Sequence, residues 1–128
     1  FFEIFEIKQI IKKLNIIEKN LIIQLGYQDY PTLLDDSGLN KIKVLKRNFN
    51  NKLCYADHTG KDTTDTYIAP LFAFNMGCDY LEKHICYDYK KTKYDLNSSL
   101  DVKDFQKFQS KFEELVEMDN QSRAKVED

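Results

Sequence analysis

Short apolar runs alternate with stretches of helical periodicity along this chain, and that alternation restricts it to folds built on a parallel sheet. Leu21-Ile22-Ile23-Gln24-Leu25, bounded by Asn20 and Gly26, is too short for a helix and reads as a buried strand. Lys52 to Tyr55, closed by Ala56-Asp57-His58-Thr59-Gly60, is the second strand, and Cys78 to Ile85, holding Glu82-Lys83-His84, is the third. Helical spacing fills the intervals. Ile4, Ile7, Ile10, Ile11 and Leu14 make an apolar stripe with Lys8, Lys12 and Lys13 opposite. Leu39, Ile42, Leu45 and Phe49 make another, after the acids and cap candidates Asp35, Asp36 and Ser37. A third helix, Tyr67 to Met76, follows the caps Thr63, Thr64, Asp65 and Thr66, with Pro70 near its first turn and Gly77 as its stop. After a polar loop from Asp88 to Ser99, the last helix has Asp101 as N-cap with Asp104 three residues on, and Leu100 placed to staple Phe105. Its apolar face is Phe105, Phe108, Phe112 and Leu115, and a frayed tail is expected from Asp119 onward.

The order is therefore one helix followed by three strand–helix units. Parallel strands joined by right-handed crossovers give a doubly wound sheet or a (β/α)8 barrel. In both, the C-terminal strand ends converge on the face where such folds keep their sites. Tyr30, His58 and His84 each fall at or after a strand end, 28 and 26 residues apart, about one unit per step.

Charge and hydropathy narrow the partner. With 19 basic and 21 acidic side chains and a net charge of −2, the chain lacks the basic excess that a nucleic-acid backbone demands. Its longest apolar runs, Leu21-Ile22-Ile23 and Tyr67 to Phe74, fall short of the ~20 residues a bilayer needs, so no membrane partner is expected. Three cysteines, Cys54, Cys78 and Cys86, are too few and odd in number for a disulfide framework, which points to a reducing cytoplasm. The opening Phe1-Phe2-Glu3-Ile4-Phe5-Glu6 carries acids among its apolar residues and no preceding basic region, unlike a cleavable signal. Because the chain starts without Met, it is expected to be a piece of something longer.

His58 and His84 are all the histidine there is, and two neutral imidazoles from neighbouring strands about 4.8 Å apart could share one ion. The alternative is a hydrogen-bonded pair at a sheet rim. Cys54 cannot join His58 on one ion, since four residues of strand cover ~13 Å, and small core residues are the expected role of all three cysteines. Within the third strand Glu82 and His84 share a face while Lys83 points to the other, so Glu82 either approaches the same ion or pairs with a buried base. Asp95 lies in the following loop. Lys90, Lys91 and Lys93 could meet an anion or could simply be solvated.

Several strings, taken in order, resemble the N-acetylneuraminate (sialic acid) synthase family. They are Tyr30-Pro31-Thr32 with Asp35-Asp36 and Leu39; Tyr55-Ala56-Asp57-His58-Thr59; Ala69-Pro70 with Gly77; Glu82-Lys83-His84; and Asp95, Ser99-Leu100 and Asp104-Phe105. The likeness covers roughly Asn20 to Leu115 and matches the last three barrel strands of that family. It implies a partial (β/α)8 TIM barrel, an α/β fold of three parallel strand–helix units preceded by a helix. Residues 1–118 would be the C-terminal portion of a synthase domain and 119–128 a frayed polar tail.

The resemblance further implies condensation of phosphoenolpyruvate with N-acetylmannosamine or a related amino sugar by a full-length, homo-oligomeric enzyme. It makes His58 and His84 the protein ligands of a divalent metal, Mn²⁺ or Mg²⁺. Glu82, Asp95 and Tyr30 fall where the family faces the acceptor sugar and metal-bound water, Glu82 and Asp95 being the expected catalytic residues. Gln28 stands where the family often has an Asn contacting phosphoenolpyruvate. Three features depart from the pattern: Ala56 replaces the usual Ser before Asp-His-Thr, Leu25-Gly26 replaces a frequent His-Cys, and Lys93-Tyr94-Asp95-Leu96 replaces Pro-Gly-Pro-Asp-His. A complete barrel takes about 250 residues, and the family's phosphate-binding lysines lie on earlier strands. The 128 residues alone are accordingly expected to be inactive. The competing readings are a non-catalytic partial barrel that binds a sugar or a protein, and another phosphoenolpyruvate-using aldolase-like barrel.

Overall fold

Residues 3–14 and 20–124 are described by a computed structural model, with side chains as far as residue 118. Phe1-Phe2 and residues 125–128 of the expected polar tail lie outside the described residues. The first amphipathic stripe forms α1, Ile4–Leu14, as its periodicity predicts. The apolar runs become β1 (Ile22–Leu25), β2 (Lys52–Asp57) and β3 (Tyr80–Lys83), which pair in parallel in the order β1-β2-β3. Between them stand α2 (Lys41–Asn48) and α3 (Asp65–Asn75), and the chain closes on α4 (Val102–Ala124).

Period-two alternation divides each strand between two environments. Leu25, Leu53 and Tyr55 face the helices and join Ile42, Leu45, Phe49, Ala69, Ala73 and Cys78 in one core cluster, with Ile23 and Leu81 packed against it. Register places Leu25 beside Tyr55 and Tyr55 beside Leu81, so this outer face is continuous across the sheet. Gln24, Cys54, Ala56 and Glu82 point the other way, Gln24 beside Cys54 and Ala56 beside Glu82. On that inner face β1 and β2 approach so closely that a Cβ on Gly26 would meet the Ala56 Cβ at 2.8 Å, which leaves glycine as the residue that fits.

The structure departs from the periodicity at three places. The third strand is not continuous. It ends at Lys83, breaks at His84 and resumes as β4 (Ile85–Cys86), which pairs in parallel with β5 (Leu100–Asp101). A strand of two residues carries no alternation to read, and the crossover leading to it holds no α-helix, only a turn closed on the Asp88 carbonyl and a single 3-10 turn, Leu96–Ser98. Second, β2 runs two residues past Tyr55, because Asp57 has its partner Lys83 inside the protein. Third, α3 begins at Asp65, so Pro70 falls inside the helix and not in its first turn, and Thr64 makes no side-chain capping bond. Asp101 does cap α4: its Oδ1 accepts the Asp104 N–H at 2.8 Å. Gly77 takes a left-handed φ of 98° just after α3, as a helix stop requires.

Candidate active site

The strand ends carry the polar residues to one place. His58 directly follows β2, and its backbone is pinned from two sides: its carbonyl accepts Thr32 N–H at 2.9 Å and Ser98 Oγ–H at 2.8 Å. His84 occupies the break between β3 and β4, and its carbonyl accepts Leu100 N–H at 2.9 Å. The two imidazole centroids stand 4.9 Å apart at 81°, and the Tyr30 ring lies 4.7 Å from His58 and 5.6 Å from His84. One donor atom from each of His58, Glu82 and His84 falls within 4.8 Å of the others.

Partners fix the orientation of these side chains. His58 Nδ1 lies 2.7 Å from the Tyr27 carbonyl oxygen, which can only accept, so Nδ1 carries a hydrogen and Nε2 is the nitrogen available to a ligand. An Asp95 carboxylate oxygen stands 3.4 Å from His84 Nδ1. Asp95 itself sits in the left-handed region at φ 51°, and its carbonyl accepts Ser98 N–H and Ser99 Oγ–H. Glu82 Oε2 accepts Gln24 Nε2–H at 2.9 Å, which leaves its second oxygen for the cluster. Tyr30 Oη donates to Gln28 Oε1 at 2.7 Å, and this bond joins Gln28 to the same end of the sheet. Only His58 is deeply buried; His84 is half-buried, and Glu82, Gln28 and Asp95 are open to solvent.

Two imidazole nitrogens and one carboxylate oxygen, with His58 Nδ1 engaged by backbone and His84 Nδ1 facing a carboxylate, form a donor set suited to a divalent transition metal. Cysteine takes no part in it: among the described residues no cysteine belongs to the cluster, Cys54 and Cys78 are buried, and all three are free thiols. Burial pushes the Cys78 thiol up to about 11, far from a reactive thiolate. Lys90, Lys91 and Lys93 are exposed on their loop.

The NeuB family profile matches residues 2–124. The chain belongs to the NeuB family. It is 32% identical over 105 residues to a pseudaminic acid synthase of Campylobacter jejuni, covering 80% of this chain and 28% of that protein. Among solved structures it is similar to the N-acetylneuraminic acid (sialic acid) synthetase of Leptospira borgpetersenii, solved with citrate, at TM-score 0.69 and 25% identity, over 87% of this chain and 36% of that one. A Chromobacterium violaceum protein assigned to spore coat polysaccharide biosynthesis shares the fold at TM-score 0.75 and 20% identity, over 91% and 34%. The chain thus spans under a third of the length of the curated relatives it matches.

The resemblance read from the motifs is therefore the right family, and the parallel strands and helices are part of a NeuB-type barrel. No helix of the described residues is long and apolar enough to cross a membrane. All six residues that the sequence singles out, Gln28, Tyr30, His58, Glu82, His84 and Asp95, lie at this end of the sheet. Sequence reasoning missed Gln24, although a polar residue inside an apolar run is a visible signal. It also missed the Tyr27 carbonyl, which no side-chain pattern could reveal.

Proposed function

We propose that this chain is the metal-bearing part of a NeuB-type synthase that condenses phosphoenolpyruvate with N-acetylmannosamine or a related amino sugar to form a nine-carbon sugar acid. The observation that carries the reading is the convergence of His58, Glu82 and His84 within 4.8 Å, with His58 Nδ1 bonded to the Tyr27 carbonyl and His84 Nδ1 facing the Asp95 carboxylate. Its relatives' names, a pseudaminic acid synthase and a sialic acid synthetase, support the product class. His58 and His84 would hold the ion, with Glu82 beside it. Imidazole donors favour Mn²⁺ over Mg²⁺, which prefers oxygen. When bound, such an ion supplies Lewis acidity toward an aldehyde oxygen.

The chain's own residues prepare the rest. Tyr27 and Asp95 keep the imidazoles turned toward the site, and Gln24 holds Glu82 where its free oxygen faces an acceptor hydroxyl or water. The bond from Tyr30 commits Gln28 Oε1 and leaves the Gln28 amide hydrogens for an oxygen of the enol phosphate. The carbon–carbon bond forms from the enol methylene to the aldehyde carbon; water then adds and phosphate leaves by carbon–oxygen cleavage. Holding hydroxyls and enol in reactive alignment is where such residues contribute most.

The test is a chimera in which this chain replaces the matching 105 residues of the Campylobacter jejuni synthase. Formation of sugar acid from phosphoenolpyruvate and amino sugar is expected, dependent on Mn²⁺, and abolished by His58→Ala or His84→Ala. Unchanged turnover in either variant would refute the assignment. The 128-residue chain alone is expected to show no condensation.

A further inference from the structure

Behind the candidate metal ligands, on the helix-facing side of the sheet, lies a charge pair that the proposed chemistry does not use. Asp57 and Lys83 occupy one register position of β2 and β3, and their side chains are 1% and 4% exposed. Lys83 Nζ donates to Asp57 Oδ2, while the same carboxylate accepts Thr59 N–H at 3.0 Å and Thr59 Oγ–H at 3.1 Å. The side chains next to this pair along the chain are the cluster itself. Asp57 immediately precedes His58, and Lys83 stands between Glu82 and His84. Because successive strand residues face opposite ways, a bond closed on the outer face sets the height at which the inner-face residues meet.

Stability does not explain the pair. The pair is buried on both sides, and exchanging such an ion pair for apolar residues of like volume is often neutral or stabilising. A buried pair of this kind has its best-attested use in fixing one register against others. Here register is what the site needs. Both strands end within one residue of a candidate ligand, and β3 breaks directly after Lys83.

We propose that Asp57 and Lys83 are positioning residues, an outer-face clasp between β2 and β3 that sets the separation of His58, Glu82 and His84 and so determines metal affinity without touching the metal. The proposal rests on the metal reading above. The clasp also reaches the turn after His58, since Thr59 bridges in parallel to Thr32, whose N–H holds the His58 carbonyl.

The experiment uses the full chain and the double variant Asp57→Asn/Lys83→Met, which removes both charges together and leaves no uncompensated ion in the interior. Two readouts are taken: amide and imidazole NMR shifts without metal, and Mn²⁺ affinity by titration. The variant is expected to fold and to melt near the wild-type temperature. Its His58, Thr59, Glu82 and His84 resonances should move while those of α4 stay, and Mn²⁺ binding should weaken by about tenfold or more. A folded variant with unmoved histidine resonances and Mn²⁺ affinity within about twofold of wild type would overturn the clasp. If the wild-type chain takes up no Mn²⁺, the metal reading fails; a changed ring-to-ring nuclear Overhauser effect between His58 and His84 in the metal-free variant still upholds the clasp, and an unchanged one overturns it. A variant that does not fold gives the pair a purely structural role and also overturns the proposal; Asp57→Glu, which keeps the charge, then tells whether placement or charge is at fault.

Discussion

The two faces of the same strands are built to opposite rules. Outward, Leu53, Tyr55, Asp57 and Lys83 are sealed against helices, and even the charged pair is satisfied internally. Inward, Gln24 and Glu82 hydrogen-bond each other and stay exposed, while His58 is buried against loop backbone and meets the half-buried His84 ring beside the small Ala56. A period of two places both sets on one six-residue strand and its neighbours, so that packing and chemistry are selected at alternate positions. A substitution on one face should then register on the other only through register or strand spacing.

The largest expected effect is on the sealed face. Leu53→Ala removes a side chain that is 1% exposed at the centre of the core cluster and should cost about 2–5 kcal/mol in denaturant unfolding. Mn²⁺ affinity of the fraction that stays folded should not change. A tenfold loss of affinity in that fraction would show that core packing and ligand geometry are not separable here.

A smaller effect is expected where the inner face is tightest. Gly26→Ala places a Cβ 2.8 Å from the Ala56 Cβ and 2.9 Å from the Ala56 carbonyl oxygen, and backbone cannot yield as a side-chain tip can. The cost should be about 1–3 kcal/mol, with Ala56→Gly in the same chain recovering part of it. Unlike the Leu53 change, this one should also weaken Mn²⁺ binding, because the strain separates β1 from β2 beside His58. Full additivity of the two single changes would remove the steric explanation.

The same contrast explains what could be read in advance. Alternation of apolar runs and stripes is a long-range pattern, and it reveals the strand–helix order and the common face of Glu82 and His84, while a local signature reveals the Asp101 cap. The break at His84 and the two-residue β5 were not legible, because they depend on pairing partners distant in sequence and not on local periodicity. The Asp57–Lys83 clasp left a trace that went unread: two charged residues at helix-facing positions of their strands. The lock on His58 left none, since its partner is the backbone of Tyr27.

The smallest effect separates the two ends of the outer face. Asp79 sits just before β3, at the end of the sheet opposite the histidines, and its Oδ2 accepts Leu53 N–H at 2.9 Å and Lys46 Nζ–H at 3.0 Å. The Leu53 amide first, and Lys46 after it, hold the carboxyl below its ordinary value of 3.8. A carboxyl whose folded pKa lies below its unfolded one contributes stability above the unfolded value and loses it as pH falls through the folded value. Wild type should therefore lose stability more steeply than Asp79→Asn below about pH 4, while the two run parallel near neutrality. Because Asn still offers an oxygen to the Leu53 amide, the neutral-pH difference should be small and the Mn²⁺ site unaffected. Superimposable acid-unfolding curves would mean that this end of the sheet is held by packing alone, with the Asp79 charge contributing nothing to it.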